Sequence, residues 1–165
     1  MSLFDHLVIF PVLIPFFVAV TLLFPSLSNS LSRQRVVSIT ANVLLVVVAF
    51  SLLFKVEAEG IQVYALGDWS APFGIVLVAD LFSVLMVCLS AILGLAVTMY
   101  ASAGEDKTGA FFHTLIMFQL MGINGAFLTG DLFNLFVFFE VLLIASYALL
   151  MHAGDKQNTR AALQY

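Results

Sequence analysis

The chain is short of charge. Charged residues make up 10% of its 165 residues, against about 25% in a soluble domain. Six basic side chains face ten acidic ones, a net charge of −4, and that balance excludes a nucleic-acid binder. A single cysteine, Cys88, excludes an internal disulfide framework. No Walker loop, no GxGxxG and no paired metal ligands occur, so no catalytic residue, no metal site and no cofactor, haem and flavin included, is expected. What is abundant is apolar. Hydrophobic residues reach 62%, with seventeen Phe, and mean hydropathy is +1.12. Such richness excludes disorder. A globule this small also has too high a surface-to-volume ratio to hide so much apolar surface from water. The expected solvent is the lipid bilayer.

A transmembrane helix needs about 20 mostly apolar residues. Five stretches qualify, at residues 7–24, 36–54, 75–100, 110–129 and 132–151. The first has no Lys or Arg before it and no small-x-small cleavage site, and it carries Pro11 and Pro15; it reads as a retained, bent helix. The third is longer than a bilayer requires, and so is tilted or projects into water. The expected fold is an all-α integral membrane protein of five helices. A short extracytoplasmic, hairpin-like loop joins helices two and three. Ile61 to Leu66 alternate at period two, Gly67-Asp68 can turn, and Phe73-Gly-Ile-Val76 follows; Trp69 suits the interface. Gly130-Asp131 is a tight turn that makes the last two helices antiparallel neighbours, with Asp131 placed to cap the fifth.

Orientation follows from the basic residues. Arg33 and Arg35 lie in the first loop, Lys107 in the third, and Lys156 and Arg160 in the tail, whereas the loop at residues 55–73 holds only Lys55 beside Glu57, Glu59 and Asp68. The positive-inside rule then puts the N-terminus outside and the tail in the cytoplasm.

Charges in the wrong solvent carry the functional signal. Glu140 is the ninth residue of the span at 132–151, roughly 13 Å along it and so near the bilayer midplane. Phe133, Phe136, Phe138, Phe139, Leu142 and Leu143 surround it in sequence. An intramembrane carboxylate is costly and points to function by default, here proton loading and unloading; a structural ion pair or a hydrogen-bonded neutral acid is the competing role. Tyr147, seven residues on, shares its face and either extends a hydrogen-bond path or anchors the interface. Asp80, about six residues into the third stretch, is expected to cap or contact the hairpin rather than to transport. His113 and Asn124, with Met117 between them, fall on nearly one face of the fourth helix. They form either a hydrated path or the polar glue between helices. Gln119 points elsewhere as helix glue. Gly122, Gly125 and Ala126 admit a close neighbour, and His152 reads as interfacial.

The residues at 118–147 closely resemble the D subunit of Mrp-type multisubunit Na⁺/H⁺ antiporters, and the run Gly130-Asp-Leu-Phe-Asn134 favours that family over kin that share only the Phe-x-Glu of Phe138-Phe-Glu140. The run from Trp69 to Asp80 resembles the same protein. More distant kin are the antiporter-like, proton-pumping subunits of respiratory complex I. The resemblance implies that Glu140 matches the family's essential glutamate, paired there with a lysine on a later helix that this chain does not contain. It implies a fold of two inverted five-helix repeats, each with a broken helix, of which this chain would hold the lead-in helices and the first two of one repeat. Residues 152–165 then read as a cytoplasmic segment approaching a sixth helix, so that the chain is either a fragment or a split gene product. The implied function is that of a cation/proton antiporter subunit in the plasma or inner membrane. Its implied partners are the other subunits, the bilayer, H⁺ and Na⁺, with K⁺ left open. A complex I-like pumping subunit of an NADH:quinone oxidoreductase and a non-transporting scaffold remain as alternatives.

Overall fold

The computed structural model describes residues 6–24, 30–68, 74–108 and 111–152. It is mostly helical. Helix α1 (Phe10–Leu22) starts with Pro11 in its first turn, where a missing N–H costs nothing, and continues through Pro15. Helix α2 (Leu31–Glu59) outruns the apolar stretch at 36–54 by about one turn at each end. Arg33, Arg35, Lys55, Glu57 and Glu59 are good helix formers, and the helix stops only at Gly60, whose φ of 81° suits a residue without a side chain.

Strands β1 (Gln62–Ala65) and β2 (Val76–Ala79) pair antiparallel, with Gln62 opposite Ala79 and Ala65 opposite Val76. The expected hairpin is therefore present, but it claims the start of the apolar stretch at 75–100. β-branched Val76 and Val78 favour a strand, and Asp80 ends it by starting a helix. The Asp80 carboxylate accepts from the Ser83 backbone N–H at 2.7 Å, and the Asp80 N–H donates to Ser83 Oγ at 3.0 Å. This capping box opens α3 (Leu81–Ala101). Trp69 and Phe73 lie outside the described residues.

A 3₁₀ turn (Glu105–Thr108) leads to α4 (Phe112–Leu128). The turn at Gly130-Asp131 then reverses the chain into α5 (Leu132–Met151). Asp131 caps α5, accepting from the Asn134 backbone N–H at 2.7 Å and from its side-chain amide at 2.6 Å. Burial pushes the Asp131 carboxyl up, but these bonds outweigh it and hold the group below its ordinary value.

Helices α2, α3 and α5 are long and apolar enough to cross a membrane. The other two are shorter than expected: α1 has 13 residues and α4 has 17, about 20 and 25 Å of rise.

The packing is inverted relative to a soluble protein. Gln34, Ser38, Asn42, Ser90, Thr98, His113, Thr114 and Asn124 are buried, while Phe17, Val43, Val47, Phe54, Leu85, Leu89 and Ile92 face outward. On α3 the inner stripe is Ser83, Val87, Ser90, Ala91, Gly94, Thr98 and Ala101, mostly small residues that let helices approach closely. A Cβ at Gly94 would meet Leu120 Cδ1 at 2.8 Å.

Candidate functional site

Helix α5 leans on the rest through one face. Asn134 and Ala145 are buried, and Phe138 packs against the core between them. A Cβ on Gly122 of α4 would lie 2.9 Å from the Leu142 backbone nitrogen, so α4 has nothing but glycine where α5 crosses it. At 100° per residue, Glu140 is turned about 200° from Phe138 and from Leu142. It therefore points away from the bundle. It is exposed, and its neighbours along that face are Phe133, Phe136, Val137 and Ile144, all exposed and apolar. Among the described residues none forms a recorded hydrogen bond or ion pair with Glu140. Tyr147 shares its face and is half-buried, about 10 Å further along by helical rise.

The other singled-out residues gather elsewhere, on the inner seam of α1 to α4. Pro15 has no N–H, so the Pro11 carbonyl four residues back loses its helical donor. The Asn124 amide fills that gap, donating to Pro11 O at 2.9 Å. Its own oxygen accepts from Ser90 Oγ at 2.5 Å, tying α1, α3 and α4 together. One level down, Asn42 donates to the Ser38 carbonyl at 2.9 Å and to Thr98 Oγ1 at 3.2 Å, joining α2 to α3. At the end of the seam His113 Nε2 lies 3.0 Å from Asp106 Oδ2. Arg35 grips the same carboxylate with two bonds, Nε to Oδ2 at 2.6 Å and Nη2 to Oδ1 at 2.5 Å. Asp106 is wholly buried. The Arg35 guanidinium, helped by His113, outweighs the penalty of burial and holds the Asp106 carboxyl below its ordinary value.

His113 and Asn124 thus share a face of α4, as their spacing implies, but each is engaged in a fixed bond, His113 to Asp106 in the turn before α4 and Asn124 to α1 and α3. Asp80 sits at the hairpin as a helix cap. None of the three approaches the exposed face of α5, so the structure does not gather Glu140, His113, Asn124 and Asp80 into one site. Ser90, Asn42, Thr98 and the Arg35–Asp106 pair are not distinguished by sequence alone. A signal existed for one link: a proline inside an apolar helix leaves a carbonyl that needs a donor from elsewhere. Gln119 lines an apolar groove of about 620 Å³ between α3 and α5, with Leu89, Leu93, Ile116 and Leu149.

No protein-family model matches the chain. Curated relatives do. The Na⁺/H⁺ antiporter D subunit of Alkalihalophilus pseudofirmus is 48% identical over 163 residues, covering 98% of this chain and 33% of the relative. The probable K⁺/H⁺ antiporter D subunit of Rhizobium meliloti is 44% identical over 167 residues, covering 98% and 31%. Among solved structures, a chain of the Mrp complex from Dietzia sp. DQ12-45-1b superposes with a TM-score of 0.90 at 30% identity, over 100% of this chain and 31% of that one. The inverted packing and these relatives define a multi-pass membrane protein of the antiporter-subunit class. Within that class the chain is similar along 98% of its length to D subunits of Na⁺/H⁺ and K⁺/H⁺ antiporters, and it spans about a third of the length of the curated relatives it matches.

Two expected outcomes follow from the seam. Replacing Asn124 with Leu strands the Pro11 carbonyl in an apolar interior, at about 1–3 kcal/mol for the orphaned group, while the Ser90 hydroxyl keeps its bond to the Val87 carbonyl at 2.9 Å. Thermal unfolding in detergent reads this as a lowered midpoint, and an unchanged midpoint contradicts the clasp. The depressed Asp106 contributes stability that is fully present above its unfolded value, about pH 3.9, and is lost as pH falls through its lower folded value. Asp106→Asn should therefore weaken the fold at neutral pH, and its deficit against the parent should shrink as the medium is acidified to about pH 3. A deficit that stays constant across that range rules out an ionised Asp106.

Proposed function

We propose that this chain is part of a multisubunit cation/proton antiporter subunit in which Glu140 carries the proton. The observation that supports this most directly is the placement of Glu140. A lone carboxylate stands near the middle of a 20-residue apolar helix, on the face left unpartnered. Hydrocarbon is a poor neighbour for that group, so this face belongs against protein or confined water. The partner has to supply a hydrogen-bonding or cationic group at the depth of Glu140, as the lysine of related subunits would. In a medium of low dielectric a cationic partner favours a carboxylate's anion, and its withdrawal favours the neutral acid. Switching between these conditions is what proton loading requires. The names of the relatives support a monovalent cation as the exchanged ion, sodium in one case and potassium in the other. Further subunits are the remaining partners.

In this reading all five helices cross the membrane, α1 and α4 by means of residues flanking their regular turns. The hairpin faces outward. The turn that carries Asp106 and Lys107 faces the cytoplasm, together with the segment at 153–165, which lies outside the described residues.

In the intact complex, Glu140→Gln should reduce cation-dependent proton exchange in everted vesicles to background, Glu140→Asp should retain part of it, and the subunits should still copurify. Near-normal exchange in Glu140→Gln would make the carboxylate structural. Orientation is tested by single cysteines at Glu59 and Lys107; native Cys88 is buried. An impermeant thiol reagent should reach position 59 only from outside and position 107 only from the cytoplasm. Labelling of both from one side overturns the topology.

A further inference from the structure

One buried titratable side chain takes no part in proton carriage by Glu140. His113 is wholly buried at the start of α4. Its Nε2 meets the Asp106 carboxylate, which Arg35 keeps ionised through two bonds. An ionised carboxylate only accepts, so Nε2 must carry the hydrogen. The other nitrogen, Nδ1, is then a bare acceptor. No described group donates to it, although it is shut inside the protein. On α2 the Ser38 hydroxyl is in the same condition, wholly buried and without a hydrogen-bond partner among the described residues. Ser38 lies three residues beyond Arg35, about one turn further along α2, and is buried where Arg35 is half-buried. Because Arg35 and His113 converge on a single carboxylate, this turn of α2 lies against the start of α4. The Ser38 carbonyl is already taken by Asn42. An acceptor nitrogen and a hydroxyl, each costly to leave unpaired, are the surroundings that hold a buried water, which needs two to four polar partners.

We propose that a water molecule sits between Ser38 and His113, donating to Nδ1 and bonded to Ser38 Oγ, and that His113 gains and loses a proton through it. In the loading step the water hands Nδ1 a proton that it has itself received from solvent. A new N–H forms, the water returns to neutral, and the Nε2–H stays on Asp106. The ring becomes a cation against a carboxylate that it shares with Arg35. The other groups facing this centre are Glu105 and Lys107 beside Asp106, and His152 at the end of α5, whose ring lies 5.8 Å from that of Phe112. Helix α3 brings Thr98 and the outward-facing Tyr100, and α1 carries no titratable side chain. This water site does not depend on antiport by Glu140, because its test needs no transport.

The full chain is labelled with ¹⁵N-histidine and studied in lipid bilayers by solid-state NMR. Of the three histidines, His113 is assigned by the signals that vanish in His113→Gln. Magnetisation from water should pass to Nδ1. On acidification to about pH 4 that resonance should move to the protonated position, while Nε2 keeps its hydrogen. Ser38→Val fills the space and should abolish most of the transfer. A dry Nδ1 in the parent chain, an Nδ1 bonded directly to the serine hydroxyl, or a resonance that does not move with pH overturns the proposal. These signals come from the parent chain, so they decide the matter even where Ser38→Val fails to fold.

Discussion

In hydrocarbon an unpaired polar group has no water to turn to, and the interior of this bundle is organised around that constraint. A single missing N–H, that of Pro15, sets a chain of requirements. The freed carbonyl of Pro11 takes the amide of Asn124, and the Asn124 oxygen takes the hydroxyl of Ser90. Three helices are fixed by two hydrogen bonds because one backbone group would otherwise stand bare. The Asn42–Thr98 and Arg35–Asp106–His113 contacts repeat the logic at two further levels. Apolar burial drives little of this, since lipid tails are as apolar as leucine. Close packing of small side chains and satisfied polar groups hold the helices together instead.

Glu140 stands outside that scheme. Every described polar residue of the seam faces inward, whereas Glu140 faces outward from a helix that leans chiefly on α4. A structural carboxylate would belong with the seam, where Asp106 already shows how this protein treats one: two bonds from arginine and a third from histidine. The contrast between a carboxylate fully engaged inside and one left open on an apolar face is the strongest argument that the two serve different ends.

Much of this was legible in the residues. The span at 132–151 coincides with α5, because Asp131 caps it and little that is polar interrupts it before Glu140. The hairpin was visible as alternation followed by a glycine turn. Boundaries failed where hydropathy and helicity part company. Charged residues are poor in lipid yet good in helices, so α2 extends through Arg33 and Lys55. Apolar β-branched residues read as membrane span, yet Val76 and Val78 pair as a strand. The seam was only half visible. The spacing of His113 and Asn124 puts them on one face, but nothing local names Asp106, Arg35 or Ser90 as their partners, since those contacts join residues 7 to 71 positions apart and are made only once the helices have packed.

The hairpin is bound to the helices more firmly than a surface loop would be. Strand β2 pairs with β1 on one edge. On the other, Leu77 bridges to Thr129 and the Val76 carbonyl accepts from the Gly130 N–H at 2.8 Å. Gly130 permits this approach, since a Cβ there would meet Val78 Cγ2 at 2.7 Å. The turn that launches α5 is thus stitched as a third edge onto a two-stranded ribbon. The ribbon works as a splint: the capped end of the helix carrying Glu140 cannot swing away without first tearing backbone pairs from the sheet, and so any rocking of α5 must pivot at this end and open at the other.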